Sequence, residues 1–499
     1  MKPIRTELLI IGGGVVGAAI ARALSRYQLQ VALVEKEVDV AFGASKANSG
    51  IVHSGIHDRP GSLKAQLCVR GNQLFPQLVE ELAVLYKKNG QLIVARNAEE
   101  LPLLDELLAQ GRTNGVTGIA WVNQEDLHKL EPNLAPSLCR GLLVEAAGIV
   151  VPFDLVQALM ENAVANGVQL KLGRRVVKIE VVNDEFIVYT NHEPIIAKTV
   201  INAAGLGAGE VAALIGDDSI QIQPRQGEEY ILDRQLEGLV LRTIFPLPTS
   251  TSKGILIIPT VEGNIMLGPT AHSVDFTTDR GTSLRGWQEV YQMAQVLVPG
   301  VPDNAVIASF AGVRASVPAN DFIIGPSPVS PGFINVAGID SPGLTAAPAI
   351  AEYVVALLKE AGRLGKEKRD FNPRRTVLRP SRLNLQAWNG LIRNEPAYGQ
   401  LVCRCEQISA AEIKAAIKRG ATTLDGIKLR TRAGMGRCQG GFCSPHLIML
   451  LSSELGLPPW QITKNGPGSE LLAGPLRGKT VANLEEGGHE EKCVDPESI

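Results

Sequence analysis

Leu8-Leu9-Ile10-Ile11-Gly12-Gly13-Gly14-Val15-Val16-Gly17-Ala18-Ala19-Ile20-Ala21-Arg22-Ala23-Leu24, followed by Val31-Ala32-Leu33-Val34-Glu35, is the stretch that decides the fold. Leu8–Ile11 reads as a buried strand, Gly12-x-Gly14-x-x-Gly17 as a tight turn, and the alanine-rich run as a helix. Val31–Val34 is the next strand, and strand–turn–helix–strand is a βαβ unit. Glycines allow the turn and let the backbone approach a pyrophosphate. The helix N-terminus adds unpaired N–H groups and the positive end of its dipole. Glu35 at the end of the second strand can accept from both ribose hydroxyls, and its charge would repel a 2′-phosphate. The glycine pattern alone is weak; in this context it predicts a dinucleotide site of the FAD or NAD type.

Working outward, 499 residues suggest two to four domains. With 45% apolar and 20% charged residues, a packed core is expected and global disorder is not. Lys+Arg (49) nearly balances Asp+Glu (51), which argues against a strongly basic nucleic-acid binder. The apolar stretch Leu344–Leu358 is broken by Pro348 and Glu352, so no membrane span is expected. Met1-Lys2-Pro3 leads directly into strand-like sequence, without a signal-peptide pattern. The expected location is cytoplasmic, with contact to the inner face of the cell membrane only through a partner.

Residues 80–140 read as helical and charged. Arg174–Glu180 and Phe186–Thr190 alternate like strands, and Thr199-Val200-Ile201-Asn202-Ala203-Ala204-Gly205 is an apolar strand entering a glycine turn. Residues 221–270 look β-rich, followed by a strand at Phe333–Ala337 and a helix at Ala347–Leu358. Lys359–Asn394 is basic and irregular, a connector wrapping the surface. A compact module follows. Ser409-Ala410-Ala411-Glu412 is a capping box for a helix ending at Gly420, and Ser444-Pro445 starts a helix ending at Gly456. The charged residues 476–499 read as a mobile tail.

Seven cysteines, an odd number without a secretion signal, argue against a disulfide framework. Cys68, Cys139 and Cys493 are scattered, whereas Cys403-x-Cys405 and Cys438-x4-Cys443 cluster. Four thiolates can bind zinc or an iron–sulfur cluster. Structural zinc usually shows two Cys-x2–4-Cys knuckles, and the Cys-x-Cys pair departs from that.

Taken with the N-terminal turn, Asn202-Ala203-Ala204-Gly205 and Gly338-Ile339-Asp340-Ser341-Pro342-Gly343-Leu344-Thr345 resemble the FAD-dependent oxidoreductases of the D-amino-acid-oxidase-like superfamily over about residues 5–360. The resemblance implies α/β plus α+β architecture, a Rossmann-like FAD domain with an interleaved β-rich substrate domain. The flavin part would be about 1–80, 145–215 and 305–365; the substrate part about 81–144 and 216–304. It implies FAD held by Gly12, Gly14, Gly17, Glu35, Ser45, Asn48, Ser49, Gly50, Val177, Ala204, Gly205, Gly338, Gly343, Leu344 and Thr345. Arg59-Pro60-Gly61-Ser62-Leu63-Lys64-Ala65-Gln66-Leu67-Cys68-Val69-Arg70-Gly71 resembles the 2-hydroxyglutarate dehydrogenase/oxidase branch. Ile258-Pro259-Thr260, Leu267-Gly268-Pro269-Thr270 and Ala311-Gly312-Val313-Arg314 resemble both that branch and the flavin glycerol-3-phosphate dehydrogenases.

Val402-Cys403-Arg404-Cys405-Glu406 together with Arg430–Cys443 resembles the bacterioferritin-associated-ferredoxin-like [2Fe–2S] domain, found at the C-terminus of anaerobic glycerol-3-phosphate dehydrogenase A subunits. It implies a small helical [2Fe–2S] domain at 400–458, after a connector at 366–399 and before a partly mobile tail at 459–499. Cys403, Cys405, Cys438 and Cys443 would be the ligands, with Arg430, Arg432 and Arg437 stabilising their negative charge.

Oxidising a secondary alcohol requires a hydride acceptor, a base and a cation for an anionic substrate. Arg314 is the candidate cation and His53 the candidate base, with His57 and His272 weaker; Arg225 and Tyr230 are candidates for lining the same pocket. Two departures bear on phosphate. His57 stands where glycerol-3-phosphate dehydrogenases typically carry an arginine, and Gly343 where they carry a lysine. The expected activity is FAD-dependent oxidation of a small anionic secondary alcohol, glycerol 3-phosphate first. Electrons would pass through the cluster to a second flavin or iron–sulfur subunit, then to quinone or another acceptor. The alternatives are a 2-hydroxy-acid dehydrogenase, an amine or imino-acid dehydrogenase, and a non-catalytic electron-handling protein.

Overall fold

A computed structural model describes residues 3–248, 253–275 and 279–475. The expected tail at 476–499, Cys493 included, lies outside the described residues. The glycine-turn unit folds as its sequence dictates: strand Ile4–Ile11, helix Val15–Leu24 and strand Val31–Val34. Around it an eight-stranded sheet forms. Ile4–Ile11 lies parallel to both Val31–Val34 and Ile195–Asn202, and Ile195–Asn202 also pairs in parallel with Phe333–Ala337. An antiparallel hairpin, Val176–Val182 with Glu185–Thr190, closes one side. The helices Val15–Leu24, Leu63–Glu81, Pro152–Ala165 and Gly343–Glu360 cover one face, burying Ile20, Phe75, Leu155 and Ile350 with Leu8, Ile10 and Leu33. Covering helices are what buried parallel strands require.

A nine-stranded sheet makes the second layer. Its longest pairing joins Gln223–Leu232 to Val306–Ser316 in antiparallel register, with Arg225 opposite Arg314. Residues 80–140, expected to be helical, also contribute Gln91–Ala95, Ile119–Asn123 and Arg140–Val144 to this sheet. The expected flavin-part boundary at 305 moves: Val306–Ser316 belongs to the second sheet, and the chain returns to the first at Ile323–Pro326. Sheet pairing, invisible in local sequence, decides both points.

The C-terminal module carries the predicted caps. Ser409 and Glu412 form a capping box for helix Ala410–Lys418, and helix Ser444–Leu455 ends on left-handed Gly456. The module does not stop at 458. Ile462 is buried in its core, and the backbone N–H groups of Leu424 and Asp425 donate to the carbonyls of Thr463 and Lys464. The basic connector is anchored by buried charge pairs as it wraps the surface. Arg375 is buried and ion-paired with Asp154 (3.2 Å) and Glu161 (2.6 Å), and Arg379 pairs with Asp154 (2.6 Å). A buried guanidinium needs such partners. Among the described residues no helix is long and apolar enough to cross a membrane.

Candidate functional site

The carboxyl ends of the parallel strands open into a cleft of about 980 Å³, where ligands sit in open α/β sheets. Its walls include Gly12, Gly14, Glu35, Ser45, Asn48, Ser49, Gly50, Ala204, Gly205, Gly343 and Leu344. Gly12 has φ +113°, and a Cβ there would overlap the Ala203 carbonyl, so only glycine lets the two turns meet. Glu35 is held by N–H groups of Gly13 (2.6 Å) and Glu37 (2.9 Å), while burial raises its pKa. The Ser45 hydroxyl accepts from the Val15 N–H (2.9 Å), fastening the 44–48 segment over the helix N-terminus. The residues present therefore fit a dinucleotide: a glycine turn, an acidic side chain lining the cleft at the end of the second strand and a segment folded across it.

Four expected cofactor residues lie outside the cleft wall. Gly17 packs against the Gly12 carbonyl, and Gly338 against Val317. Thr345 is fully buried; its hydroxyl accepts from the His53 N–H (2.9 Å) and donates to the Ile51 carbonyl (3.3 Å), joining two loops that shape the cleft. Val177 sits 53% exposed on the outermost strand of the hairpin, which points its side chain to solvent. Gly17, Gly338 and Thr345 are scaffold positions, and the Val177 side chain takes no part in the wall.

On the opposite wall, residues of Gln223–Leu232 alternate. Arg225, Gly227 and Glu229 line the cleft. Tyr230 turns away: its hydroxyl donates to Glu228 (2.7 Å) and its ring packs on Trp287. Tyr230 is thus not a pocket residue, because strand parity sends it to the other face. Glu229, its neighbour, had no sequence signal beyond that parity. Arg314 lines the same wall, both terminal nitrogens lying 3.4 Å from the Thr270 carbonyl; burial lowers its pKa, and the Glu229 carboxylate partly offsets that.

Burial disfavours the charged form of two cleft histidines. His53 and His57 are both pushed down by burial, His57 to about 3, with nearby Lys253 adding to the effect. His53 Nε2 lies 3.5 Å from the Ser341 hydroxyl, and its Nδ1 has no partner among the described residues. His57 stacks on Phe245 at 5.1 Å, and neither ring nitrogen has a partner among the described residues. His272 lines the cleft but is paired with Glu289 (2.8 Å). Lys253 was not singled out from sequence. Its ammonium enters the same wall with no hydrogen-bond partner among the described residues, and its ion pair to Asp58 spans 3.6 Å. A lone lysine after a Ser/Thr run in the sequence carries no local signal.

The four module cysteines converge. Cys405 and Cys438 have their sulfurs 3.7 Å apart, and Cys403 and Cys443 face each other in the interior. A Cβ at Gly436 would overlap that of Cys405, so glycine permits the approach. N–H groups of Phe442, Gly440 and Gly441 lower the Cys438 thiol pKa, whereas burial and the facing Cys403 push Cys443 up to about 12. Among the described residues no three His, Cys, Asp or Glu groups converge to hold a single metal ion. Two crowded thiol pairs with amide donors aimed at sulfur fit a binuclear iron–sulfur cluster, which takes four thiolates. The arginines expected to stabilise it also hold carboxylates, and Arg437 still feels the Cys405 thiolate. Arg430 pairs with Asp39, Arg432 with Glu406 (2.9 Å) and Glu262 (3.6 Å), and Arg437 with Asp233 (2.6 Å). Asp39, Glu262 and Asp233 belong to the flavin and substrate parts, so these arginines dock the module.

Residues 7–357 match the model of the FAD dependent oxidoreductase family, and residues 401–453 that of the BFD-like [2Fe-2S] binding domain. A glycerol 3-phosphate dehydrogenase of Caloramator mitchellensis is 41% identical over 94% of this chain and 99% of its own. An L-2-hydroxyglutarate dehydrogenase of Caenorhabditis elegans is 37% identical over 53% of this chain and 63% of its own. The FAD-bound, dithionite-reduced L-alpha-glycerophosphate oxidase of Mycoplasma pneumoniae superposes with a TM-score of 0.72 and 32% identity, covering 76% of this chain and all of that one.

Proposed function

The chain belongs to the FAD-dependent oxidoreductases and carries a BFD-like [2Fe–2S] domain; from that premise we propose that it oxidises glycerol 3-phosphate and exports the electrons through its cluster. The observation that carries the substrate is the pair of cations on one wall. Lys253 presents an ammonium with no hydrogen-bond partner among the described residues, 3.6 Å from Asp58 and near the His57 ring, and Arg314 lines the same wall. A phosphate offers oxygens for both kinds of donor. Lys253 takes the place of the cations that His57 and Gly343 fail to supply.

Bound FAD supplies the acceptor for the C–H hydride. The chain's own residues do the rest. Glu35 and the Gly12–Gly17 turn would hold the nucleotide, with Ser45, Asn48 to Gly50 and Gly343-Leu344 lining the same cleft. Arg314 and Lys253 fix the anion, which aligns the substrate C–H bond. His53 is kept neutral by burial and can therefore take the hydroxyl proton on an unpartnered nitrogen.

Export requires a one-electron carrier reachable from outside. Cys405 is exposed, Cys438 is partly so, and Phe442 between Cys438 and Cys443 is 81% exposed. This supports docking of a second flavin or iron–sulfur subunit on the cluster face, leading on to quinone or another acceptor.

A dicarboxylate 2-hydroxy acid would also satisfy two separated cations, and the match to an L-2-hydroxyglutarate dehydrogenase favours that second reading. Anaerobic flavin bleaching by glycerol 3-phosphate, 2-hydroxyglutarate and amino acids separates them. The proposal requires glycerol 3-phosphate to give the highest kcat/KM; faster bleaching by 2-hydroxyglutarate would replace it.

A further inference from the structure

Glu229 has no role in the reading above, yet it occupies the centre of the substrate wall. It is 2% exposed. Its Oε1 accepts a 2.5 Å hydrogen bond from the Ser49 hydroxyl, and its Oε2 has no partner among the described residues. The charged group that acts on it is Arg314; its backbone pairs with Arg225, and its guanidinium lies over Gly227, two residues from Glu229 on the same strand face. Arg225, on the same strand as Glu229, acts on Arg314, as does Asp340, which is itself paired with Lys64 at 2.7 Å. The segment before Gly50 presents only the Ser49 hydroxyl to Glu229, and strand Ile265–Gly268 presents backbone at Gly268. One buried carboxylate and one buried guanidinium thus share this end of the cleft.

We propose that Glu229 is the internal counter-ion of Arg314, and that an anionic substrate displaces it from that role with uptake of one proton at Glu229 Oε2. This rests on the reading that Arg314 receives the substrate anion. Two anions on one buried cation repel strongly, and the buried group escapes the cost by becoming neutral. The proton comes from solvent; no carbon bond changes and no electrons move. Once protonated, Glu229 changes from an acceptor to a donor. Its O–H then faces an oxygen of the bound anion, so the site favours phosphate or carboxylate over a neutral polyol. Burial pushes the carboxyl up to about 7, against the pull of Ser49 and Arg314, which puts the exchange within the neutral pH range.

The experiment uses the full-length, FAD-loaded, oxidised protein and dihydroxyacetone phosphate, a phosphate monoester with no secondary alcohol to oxidise. Binding heat at pH 8 in buffers of different ionisation enthalpy gives the number of protons taken up. Ionisation of the ligand contributes equally to every variant. The wild-type value should exceed that of Glu229→Gln by close to one proton. Wild-type affinity, relative to the variant, should fall about tenfold per pH unit above 7. Ser49→Ala removes a bond that favours the carboxylate, so its midpoint should move to higher pH; an unmoved midpoint overturns the proposal even if Glu229→Gln fails to retain FAD. Equal proton uptake in wild type and Glu229→Gln, with binding still dependent on Arg314, overturns the counter-ion role and leaves the substrate reading standing. Binding indifferent to Arg314→Ala removes both.

Discussion

Arg430 of the cysteine module clasps Asp39 of the dinucleotide-binding unit in a buried, two-nitrogen ion pair, one arm at 3.0 Å, with both side chains almost wholly removed from solvent. Asp39 lies four residues beyond Glu35, and Arg430 lies eight before Cys438. A single contact therefore ties the nucleotide turn to the cluster loop. Glu161 adds to it, receiving Arg419 (3.3 Å), Arg430 (3.7 Å) and Arg375 (2.6 Å).

Asp39→Asn leaves Arg430 a buried charge with a weakened partner, a loss of roughly 3–5 kcal/mol for the docked arrangement if the pair is fully broken. Flavin reduction by substrate should survive, while transfer of electrons onward to the cluster slows. Stopped-flow measurement of the two phases checks this, and equal slowing of both would show that the pair serves the flavin site instead.

Glu35→Ala should release FAD more readily while leaving the cluster spectrum unchanged. It removes the acceptor that fixes the Gly13 and Glu37 N–H groups and that would receive the ribose hydroxyls. Flavin-to-protein absorbance ratios after gel filtration give the answer.

Serine at Cys403, Cys405, Cys438 or Cys443 should abolish or severely destabilise a [2Fe–2S] cluster. Iron and sulfide analysis of anaerobically purified protein should give two of each per chain in wild type; one zinc and no sulfide would refute the assignment. In Cys438→Ser, substrate should still bleach the flavin while delivery to the natural acceptor fails.

Arg314→Ala should lower kcat/KM by about 30- to 1,000-fold, the equivalent of roughly 2–4 kcal/mol for a charge-assisted pair. Gly227→Ala is a subtler probe, since a Cβ there would overlap the Arg314 guanidinium and push it aside. Its kcat/KM should fall between the other two.

His57, held near 3 against a usual 6.5, binds a proton in the unfolded chain before it does so in the folded one. The stability it contributes is present above about pH 6.5 and is lost as pH falls toward 3, by about 1.4 kcal/mol per unit for this group alone. His57→Phe should flatten the acid limb of a Tm-versus-pH curve between pH 6.5 and 4.5. An unchanged slope would mean the ring already has a proton partner.

The local patterns carried far. The glycine turn, strand Phe333–Ala337, the Ser409–Glu412 capping box and Pro445 all depend on neighbours within a turn or two, and each stands where the sequence placed it. Helix Gly343–Glu360 began four residues before its expected start because a loop turned directly into it. What only the tertiary structure decided depends on groups far apart in the chain. Tyr230 and Glu229 exchange roles because sheet register, not composition, chooses which face of Gln223–Leu232 meets the cleft. Lys253 matters because folding strands its ammonium beside His57. Arg430, Arg432 and Arg437 look from sequence like companions of the thiolates, and folding also gives them carboxylates of distant segments, since a guanidinium takes the strongest acceptor the packing brings within reach.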